Sequence, residues 1–266
     1  MTYKLIAIDI DDTLINDDKK ILPGTRSSIE AAIANGVVVT IATGRMYASA
    51  KQLAKQLDLN VPIISYQGSF VKDGQDGSVL YERSVPIDVA QELFKLSAER
   101  GYHIQAYIND ELYAAEENDR LLAYCKLSNI PYKIEADFAK LASIPSTKLL
   151  MIDEPEKLDL LMEELQPRFG DRVHMTKSKP NFLEFVHKEG TKGDALRFLA
   201  NYFGCTIEET IAIGDSWNDA EMIEAAGLGV AMGNAVPSLK EIADYITASN
   251  NDEGVKQVID KFVLNK

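Results

Sequence analysis

Two aspartates, two residues apart, follow the first apolar segment of the chain. Asp9 and Asp11 come directly after Leu5-Ile6-Ala7-Ile8 and begin the acidic stretch Asp9-Ile10-Asp11-Asp12-Thr13-Leu14. Residues two apart on a strand share a face, so the two carboxylates are expected to lie close together. Their mutual repulsion requires a positive partner, and Mg²⁺ prefers carboxylate and carbonyl oxygens. An isolated Asp-x-Asp more often forms a solvated turn, so a metal site needs support from elsewhere in the chain.

Three further polar clusters lie at predicted strand ends or helix starts. Thr43-Gly44-Arg45 offers a hydroxyl and a backbone N–H to an anion, although a Thr N-cap followed by a turn glycine explains it equally well. Lys192 precedes a helix whose N-terminus favours anions, which indicates that the lysine faces a phosphate. The segment Gly214-Asp215-Ser216-Trp217-Asn218-Asp219 repeats the acidic pattern, with a helix-capping loop as the alternative. The clusters together predict a site that binds a metal ion and an anion.

Alternating strands and helices at both ends of the chain must position these clusters. This order predicts an α/β fold with a doubly wound parallel sheet, in which the carboxyl ends of the strands open onto a ligand crevice. The predicted strands are 4–10, 37–42, 61–65, 182–186, 210–213, 229–232 and 245–247, and the predicted helices are 23–35, 46–57, 194–203, 219–226, one after Pro237 and one ending at Phe262.

The middle of the chain has a different order and predicts an inserted α+β unit. Helices are predicted at 86–100, 119–128 and 156–165, and strands at 102–108, 111–115, 148–152 and 173–177, the first two forming a hairpin. We therefore predict a discontinuous core domain, residues 1–83 and 182–266, that carries an α+β cap domain at 84–181.

Composition limits the classes of partner. The chain has 266 residues and a net charge of −13, with no basic cluster, which argues against nucleic-acid binding. Neither a signal-peptide pattern nor an apolar run of membrane-spanning length occurs in the sequence. Cys125 and Cys205 lack metal-ligand spacing and are interpreted as reduced thiols. We expect a cytoplasmic protein without nucleic-acid or membrane partners, as a monomer or weak homodimer.

The four clusters resemble the motifs of the haloacid dehalogenase (HAD) superfamily of aspartate-nucleophile phosphatases. The matching residues are Asp9-x-Asp11-x-Thr13, Thr43, Lys192 and Gly214-Asp215-x-x-Asn218-Asp219. The insertion between the second and third motifs is similar to the class IIB cap of the Cof-type branch, as are Thr43-Gly44-Arg45 and Lys192-Gly193. The chain departs from the common pattern at Asp12, where many relatives have Gly, and at Gln67-Gly68-Ser69, where Asn-Gly-Ala is common.

The resemblance implies a Mg²⁺-dependent phosphatase that forms an aspartyl-phosphate. Asp9 would be the nucleophile, and Asp11 would act as general acid and then as general base. The metal would be held by Asp9, the backbone carbonyl of Asp11 and Asp215, with Asp219 reaching it through water.

The resemblance also assigns the residues that would bind the phosphoryl group. Thr43, the Gly44 N–H, Lys192 and Asn218 would hold the phosphoryl oxygens. Arg45 would point toward the cap or pair with a surface carboxylate, and we expect the second. Implied substrates are small phosphate esters, with hexose or pentose phosphates ahead of phosphorylated cofactors such as pyridoxal phosphate.

Two other functions share parts of this pattern. A receiver-type signalling domain also phosphorylates an aspartate beside Mg²⁺, but its phosphoacceptor follows the third strand and the domain is about half as long. A phosphosugar mutase shares both the fold and the intermediate. Release of free phosphate distinguishes a hydrolase from both alternatives.

Overall fold

Strands and helices alternate along most of the chain. The computed structural model describes residues 2–59 and 61–265. Its strands are β1 (Leu5–Ile8), β2 (Val38–Ile41), β3 (Ile63–Ser65), β4 (Phe70–Lys72), β5 (Val79–Glu82), β6 (His103–Ile108), β7 (Glu111–Ala114), β8 (Lys133–Ile134), β9 (Lys148–Ile152), β10 (Val173–Lys179), β11 (Phe182–His187), β12 (Thr210–Gly214), β13 (Leu228–Ala231) and β14 (Tyr245–Ile246). Its helices are α1 (Pro23–Ala34), α2 (Tyr47–Gln56), α3 (Ile87–Arg100), α4 (Asp119–Ser128), α5 (Phe138–Ala142), α6 (Pro155–Phe169), α7 (Lys192–Tyr202), α8 (Ala220–Ala225), α9 (Pro237–Ile242) and α10 (Gly254–Phe262).

A five-stranded parallel sheet forms the centre of the α/β core. Its strand order is β14-β13-β12-β1-β2, and every pair along it is parallel. All four residues of β1 are buried, which shows that both faces of the sheet are covered, as parallel sheets require. The predicted α/β fold with a doubly wound parallel sheet is confirmed.

A second, six-stranded sheet forms the α+β unit and packs on both of its faces. Its order is β10-β11-β9-β6-β7-β8, with antiparallel pairs except between β7 and β8. Along β9, Leu149 and Met151 face a cluster formed with α3 and α6, whereas Leu150 and Ile152 join the main core cluster. This alternation with period two means that the sheet is buried between its own helices and the α/β core.

The predicted position of segment 182–186 in the α/β core is wrong. β11 pairs antiparallel with both β9 and β10, so it is an inner strand of the six-stranded sheet. The short turn at Pro180-Asn181 brings β10 and β11 together locally, and a fully buried strand has no polar alternation that would reveal its sheet. The division into core and cap stays a proposal, and this pairing moves its second boundary past His187.

The predicted third strand of the parallel sheet is only partly right. Ala42 and Ile64 form one isolated parallel bridge, but β3 otherwise pairs antiparallel with β4. β4 and β5 were not predicted, and they complete a separate three-stranded sheet in the order β3-β4-β5. Their short length and the surrounding glycines masked the strand signal.

Candidate active site

The ends of two neighbouring central strands bring the first and last polar clusters together. β1 and β12 pair in parallel from Leu5↔Thr210 to Ile8↔Ile213, and the Asp9 N–H donates to the Ile213 carbonyl at 3.0 Å. Asp9 therefore follows β1 at the same edge where Asp215 follows β12. After β1 the chain continues to β2 on one side of this pair, and after β12 it continues to β13 on the opposite side. The carboxyl edge between β1 and β12 is therefore the topological switch point of the sheet.

A tight turn after β1 directs Asp11 back toward the cleft. The Leu14 N–H donates to the Asp9 carbonyl at 3.2 Å, and Asp12 has a φ of +60° within the turn. Glycine adopts this left-handed conformation without cost, and aspartate is among the few other residues that tolerate it. The departure from the common Gly at position 12 is therefore compatible with the turn.

Lys192 links two of the predicted acidic residues directly. Its Nζ donates to Asp9 Oδ1 and to Asp219 Oδ1, both at 2.6 Å, and its side chain is fully buried. The capping box of Thr191 and Asp194 fixes the start of α7, so Lys192 is the first residue of that helix. Although burial alone would lower the pKa of Lys192, the two carboxylates raise it above its ordinary value, which keeps the side chain charged.

Asp219 is held by donors on both of its oxygens. Oδ1 accepts from Lys192, and Oδ2 accepts from the backbone N–H groups of Asp215 at 2.9 Å and Ser216 at 3.0 Å. This arrangement fits an indirect contact with a metal better than direct ligation. Asp215 keeps its orientation through Thr13, whose hydroxyl donates to Asp215 Oδ1 at 2.7 Å. Thr13 was part of the predicted motif, without an assigned role.

The acidic cluster has the donor set and the charge of a site for a hard divalent cation. Carboxylate oxygens of Asp9, Asp215 and Asp219 all lie within 4.8 Å of one another. Burial raises the pKa of Asp9 well above its usual value against the lowering effect of Lys192, and burial together with Asp219 raises the pKa of Asp215 to about 7. Such repulsion among buried carboxylates is relieved by a bound cation, so the residues fit Mg²⁺.

The residues expected to bind phosphate line the same cleft. Thr43, Gly44 and Asn218 border it together with Asp9 and Asp11. The Thr43 hydroxyl accepts from the Arg45 N–H at 3.2 Å, which stabilises the turn that leads into α2. Lys192 does not border the cleft itself, and its charge lies beside the Asp9 carboxylate, which does.

Arg45 pairs with Asp11, whereas a surface carboxylate was the expected partner. Its Nε donates to Asp11 Oδ2 at 2.8 Å and its Nη2 to Asp11 Oδ1 at 2.7 Å. Burial alone would raise the pKa of Asp11, but the hydrogen bonds and charge of Arg45 hold it below its ordinary value. Both oxygens of the Asp11 carboxylate are thus engaged by Arg45, and Asp11 is not among the carboxylates that cluster with Asp9.

Two residues without an assigned role, Lys148 and Glu184, also border the cleft, and Gln67 lies behind them. Gln67, Lys148 and Glu184 are buried and hydrogen bonded to one another or to the residues above. A signal existed in the sequence, because Lys148 and Glu184 are charged residues within otherwise apolar strands. Their pairing could not be inferred, because β11 was assigned to the wrong sheet.

The cleft lies between the α/β core and the six-stranded sheet and has a volume of about 760 Å³. Tyr124 and Phe182 border it from the side of the α+β unit, and Lys126 and Lys179 add positive charge there. Its size suits a small molecule rather than a macromolecular segment. Within the described part of the chain, helices long and apolar enough to span a bilayer are absent.

Comparison with known proteins identifies the family. The family of haloacid dehalogenase-like hydrolases matches residues 6–259, nearly the whole chain. The chain belongs to this family, which confirms the resemblance inferred from the four motifs and makes the protein a phosphoric monoester hydrolase. The receiver-domain alternative is thereby set aside.

Three similar proteins cover almost the full length of the chain. M6_Spy0533 of Streptococcus pyogenes, provisionally named a phosphatase, is 38% identical over 100% of both chains. The 5-amino-6-(5-phospho-D-ribitylamino)uracil phosphatase YitU of Bacillus subtilis is 31% identical over 97% of both chains. The crystal structure of TM0651 from Thermotoga maritima is 38% identical, with a TM-score of 0.83 over 98% of this chain and 97% of that one.

Proposed function

We propose that the protein is a Mg²⁺-dependent phosphatase of small phosphorylated metabolites, sugar phosphates first, and that it acts through an aspartyl-phosphate on Asp9. The observation that carries the proposal is the hydrogen-bonded cluster at the end of β1. It joins a nucleophile, Asp9, to the cation Lys192, with Asp215 among the nearby carboxylates. Such a cluster can both neutralise a phosphate and attack it.

The proposed reaction has two steps. Asp9 attacks phosphorus while the bond from phosphorus to the ester oxygen breaks, and Asp11 donates a proton to the departing oxygen. Water then attacks the aspartyl-phosphate, Asp11 accepts a proton from that water, and Asp9 and phosphate are released. Arg45 orients the Asp11 carboxylate, since it holds both of its oxygens.

A metal ion and protein groups would together bind the phosphoryl group. Mg²⁺ would neutralise phosphate charge as the nucleophile approaches, held by Asp9, Asp215 and the backbone carbonyl of Asp11. Asp219 would keep Lys192 and the loop after β12 in place.

The remaining phosphoryl contacts would come from the protein. Thr43, the Gly44 N–H, Asn218 and Lys192 would stabilise the oxygens as charge spreads over them.

The cleft supports small substrates. Its volume of about 760 Å³, bordered by Tyr124 and Phe182, suits a metabolite, and the relative YitU is named for a small phosphorylated compound. Cys125 and Cys205, both free and buried, support the proposed cytoplasmic location. We further propose a monomer or weak homodimer that binds neither nucleic acid nor membrane.

A phosphate-release screen tests the proposal. The purified protein is assayed against hexose phosphates, pentose phosphates, pyridoxal phosphate, a phosphopeptide and an oligonucleotide, each with Mg²⁺ and with EDTA. The matched control is Asp9→Asn, which keeps the shape of the side chain and should lose activity by at least about 10³-fold. Metal-independent release, or a strong preference for the phosphopeptide or oligonucleotide, would contradict the proposal. Conversion of a phosphosugar without free phosphate would favour the mutase.

A further inference from the structure

A buried ion pair from the six-stranded sheet reaches the phosphate side of the cleft. Lys148 Nζ on β9 donates to Glu184 Oε2 on β11 and to the carbonyl oxygen of Gly44, both at 2.8 Å. The two charged side chains are only 2% and 3% exposed. Burial of two charges costs several kcal/mol of desolvation, so this pair is a weak device for stability alone.

The same ion pair continues into the core through an amide. Gln67 Nε2 donates to Glu184 Oε2 at 2.8 Å, and Gln67 Oε1 accepts from Asn218 Nδ2 at 2.8 Å. Gln67 also lies against Gly44, because a Cβ added at Gly44 would come within 2.4 Å of Gln67 Nε2. Two of the residues proposed to bind phosphate, Gly44 and Asn218, therefore contact this network.

The network has donors and acceptors that match throughout. Ser178 Oγ donates to the second oxygen of Glu184, and the Lys148 ammonium lies 4.7 Å from the centre of the Tyr107 ring. Matched donors and acceptors in a buried network favour one arrangement over alternatives, because each rearrangement leaves a polar group unpaired. The peptide at Gly44 and the amide of Asn218 are thus fixed by groups that come partly from the α+β unit.

We propose that Lys148, Glu184 and Gln67 are positioning residues that set the geometry of the phosphate-binding side of the cleft. Lys148 holds the Gly44–Arg45 peptide through the Gly44 carbonyl, one peptide after the Gly44 N–H, and Gln67 fixes the plane of the Asn218 amide. The α/β core alone does not complete this side of the site, since Lys148 and Glu184 belong to the other sheet. This inference rests on the proposed function, which assigns phosphate to Gly44 and Asn218.

The test measures inorganic phosphate as a competitive inhibitor of hydrolysis. Gln67→Met keeps the length of the side chain but removes both hydrogen bonds, and Lys148→Met removes the charge. Each variant should raise the phosphate inhibition constant about tenfold, together with KM. Lys148→Met loses the charged hydrogen bond to the Gly44 carbonyl, and Gln67→Met releases the Asn218 amide. kcat should fall less than kcat/KM.

The matched control weakens a different contact between the six-stranded sheet and the α/β core. Asp110 accepts from the Tyr66 hydroxyl at 2.6 Å and from the Ala48 N–H at 3.2 Å, at the tip of the β6–β7 hairpin. Asp110→Asn should leave the phosphate inhibition constant within about twofold of wild type, because it touches no residue assigned to phosphate.

A double variant separates positioning from general loss of stability. Glu184→Gln combined with Gln67→Met should weaken phosphate binding by less than the product of the two single effects, because both act through one network. If Lys148→Met fails to fold, the phosphate inhibition constant of Gln67→Met alone tests the inference. A Gln67→Met enzyme with the wild-type inhibition constant, or an equal effect of Asp110→Asn, overturns the inference. Absence of phosphate release by the wild type would instead refute the proposed function.

Discussion

Arg45 holds both carboxylate oxygens of Asp11, at 2.8 and 2.7 Å, in a planar two-bond ion pair. Arg45 directly follows Gly44 in the sequence. Its side chain therefore joins the turn proposed to bind phosphate to Asp11, the proposed acid–base residue. Arg45 holds the pKa of Asp11 low although burial opposes it. The pair therefore sets both the direction and the proton affinity of Asp11.

Replacement of Arg45 by Met should raise the pKa of Asp11. The carboxylate loses the charge that favours its ionised form, so the part of the kcat/KM profile that reports Asp11 should move to higher pH. Lys19→Met is the control, because the Lys19 ammonium is 4.0 Å from Asp11 on an exposed side chain and should have a smaller effect. Identical pH profiles for Arg45→Met and wild type would show that Arg45 does not tune Asp11.

Asp11→Asn should impair hydrolysis in proportion to the basicity of the leaving group. An alkyl phosphate needs a proton on its departing oxygen, whereas a nitrophenyl phosphate leaves without one, so the loss should be about 10²-fold or more for the former and smaller for the latter. Single-turnover formation of the phosphoenzyme separates the first step from the second. The same loss for both substrates in that step would refute the acid role.

Lys192→Met should destabilise the fold as well as the reaction. The substitution leaves Asp9 and Asp219 buried without their cation, at a cost of about 3–5 kcal/mol in the free energy of unfolding. The penalty should shrink as pH falls, because burial raises the pKa of Asp9, and protonation of Asp9 removes one of the uncompensated charges. Urea unfolding at pH 5 and pH 8 in EDTA measures it.

The matched control for Lys192 is an exposed ion pair. Lys133 pairs with Glu111 at 2.7 Å with about half of each side chain exposed, so Lys133→Met should change stability by a much smaller amount, because solvent screens the pair. A penalty of that small size for Lys192→Met, or one that does not depend on pH, would show that the cation does not neutralise the buried carboxylates.

The sequence was sufficient to predict the parts of the site in which the reactive residues directly follow strands of the parallel sheet. Strand ends in a parallel sheet gather at one edge, so Asp9 and Asp215 could be placed together from strand order alone. The link from Lys192 to Asp9 was not predicted, because the macrodipole argument indicated a phosphate as the partner of Lys192. The structure shows a carboxylate of the protein in that position.

Side-chain pairs across elements could not be predicted in the same way. Arg45 was expected to contact a surface carboxylate, because its partner depends on the turn at Asp12 that redirects Asp11. Glu184 was missed because buried strands carry no alternation that shows which sheet they join. Both failures concern tertiary contacts that local patterns do not encode.

The affinity for Mg²⁺ should depend on pH through Asp215. Its pKa is raised to about 7 by burial and by Asp219, so protons compete with the metal below that value. Between pH 8 and pH 6 the Mg²⁺ concentration for half-maximal thermal stabilisation should rise about tenfold, as expected for one competing proton. Asp215→Asn should bind Mg²⁺ more weakly and lose most of this dependence.

The preference of the same site for Mg²⁺ over Ca²⁺ is an independent test of the proposed metal ligands. Ca²⁺ should support hydrolysis poorly, since it favours more ligands and longer bonds than the cluster of Asp9, Asp215 and the Asp11 carbonyl would supply. Hydrolysis is measured with Mg²⁺, Ca²⁺ and EDTA at matched ionic strength, so that screening of the chain's charge of −13 is constant. Full activity in EDTA would refute the metal site, and a Mg²⁺ affinity that is flat from pH 6 to pH 8 would remove Asp215 from it.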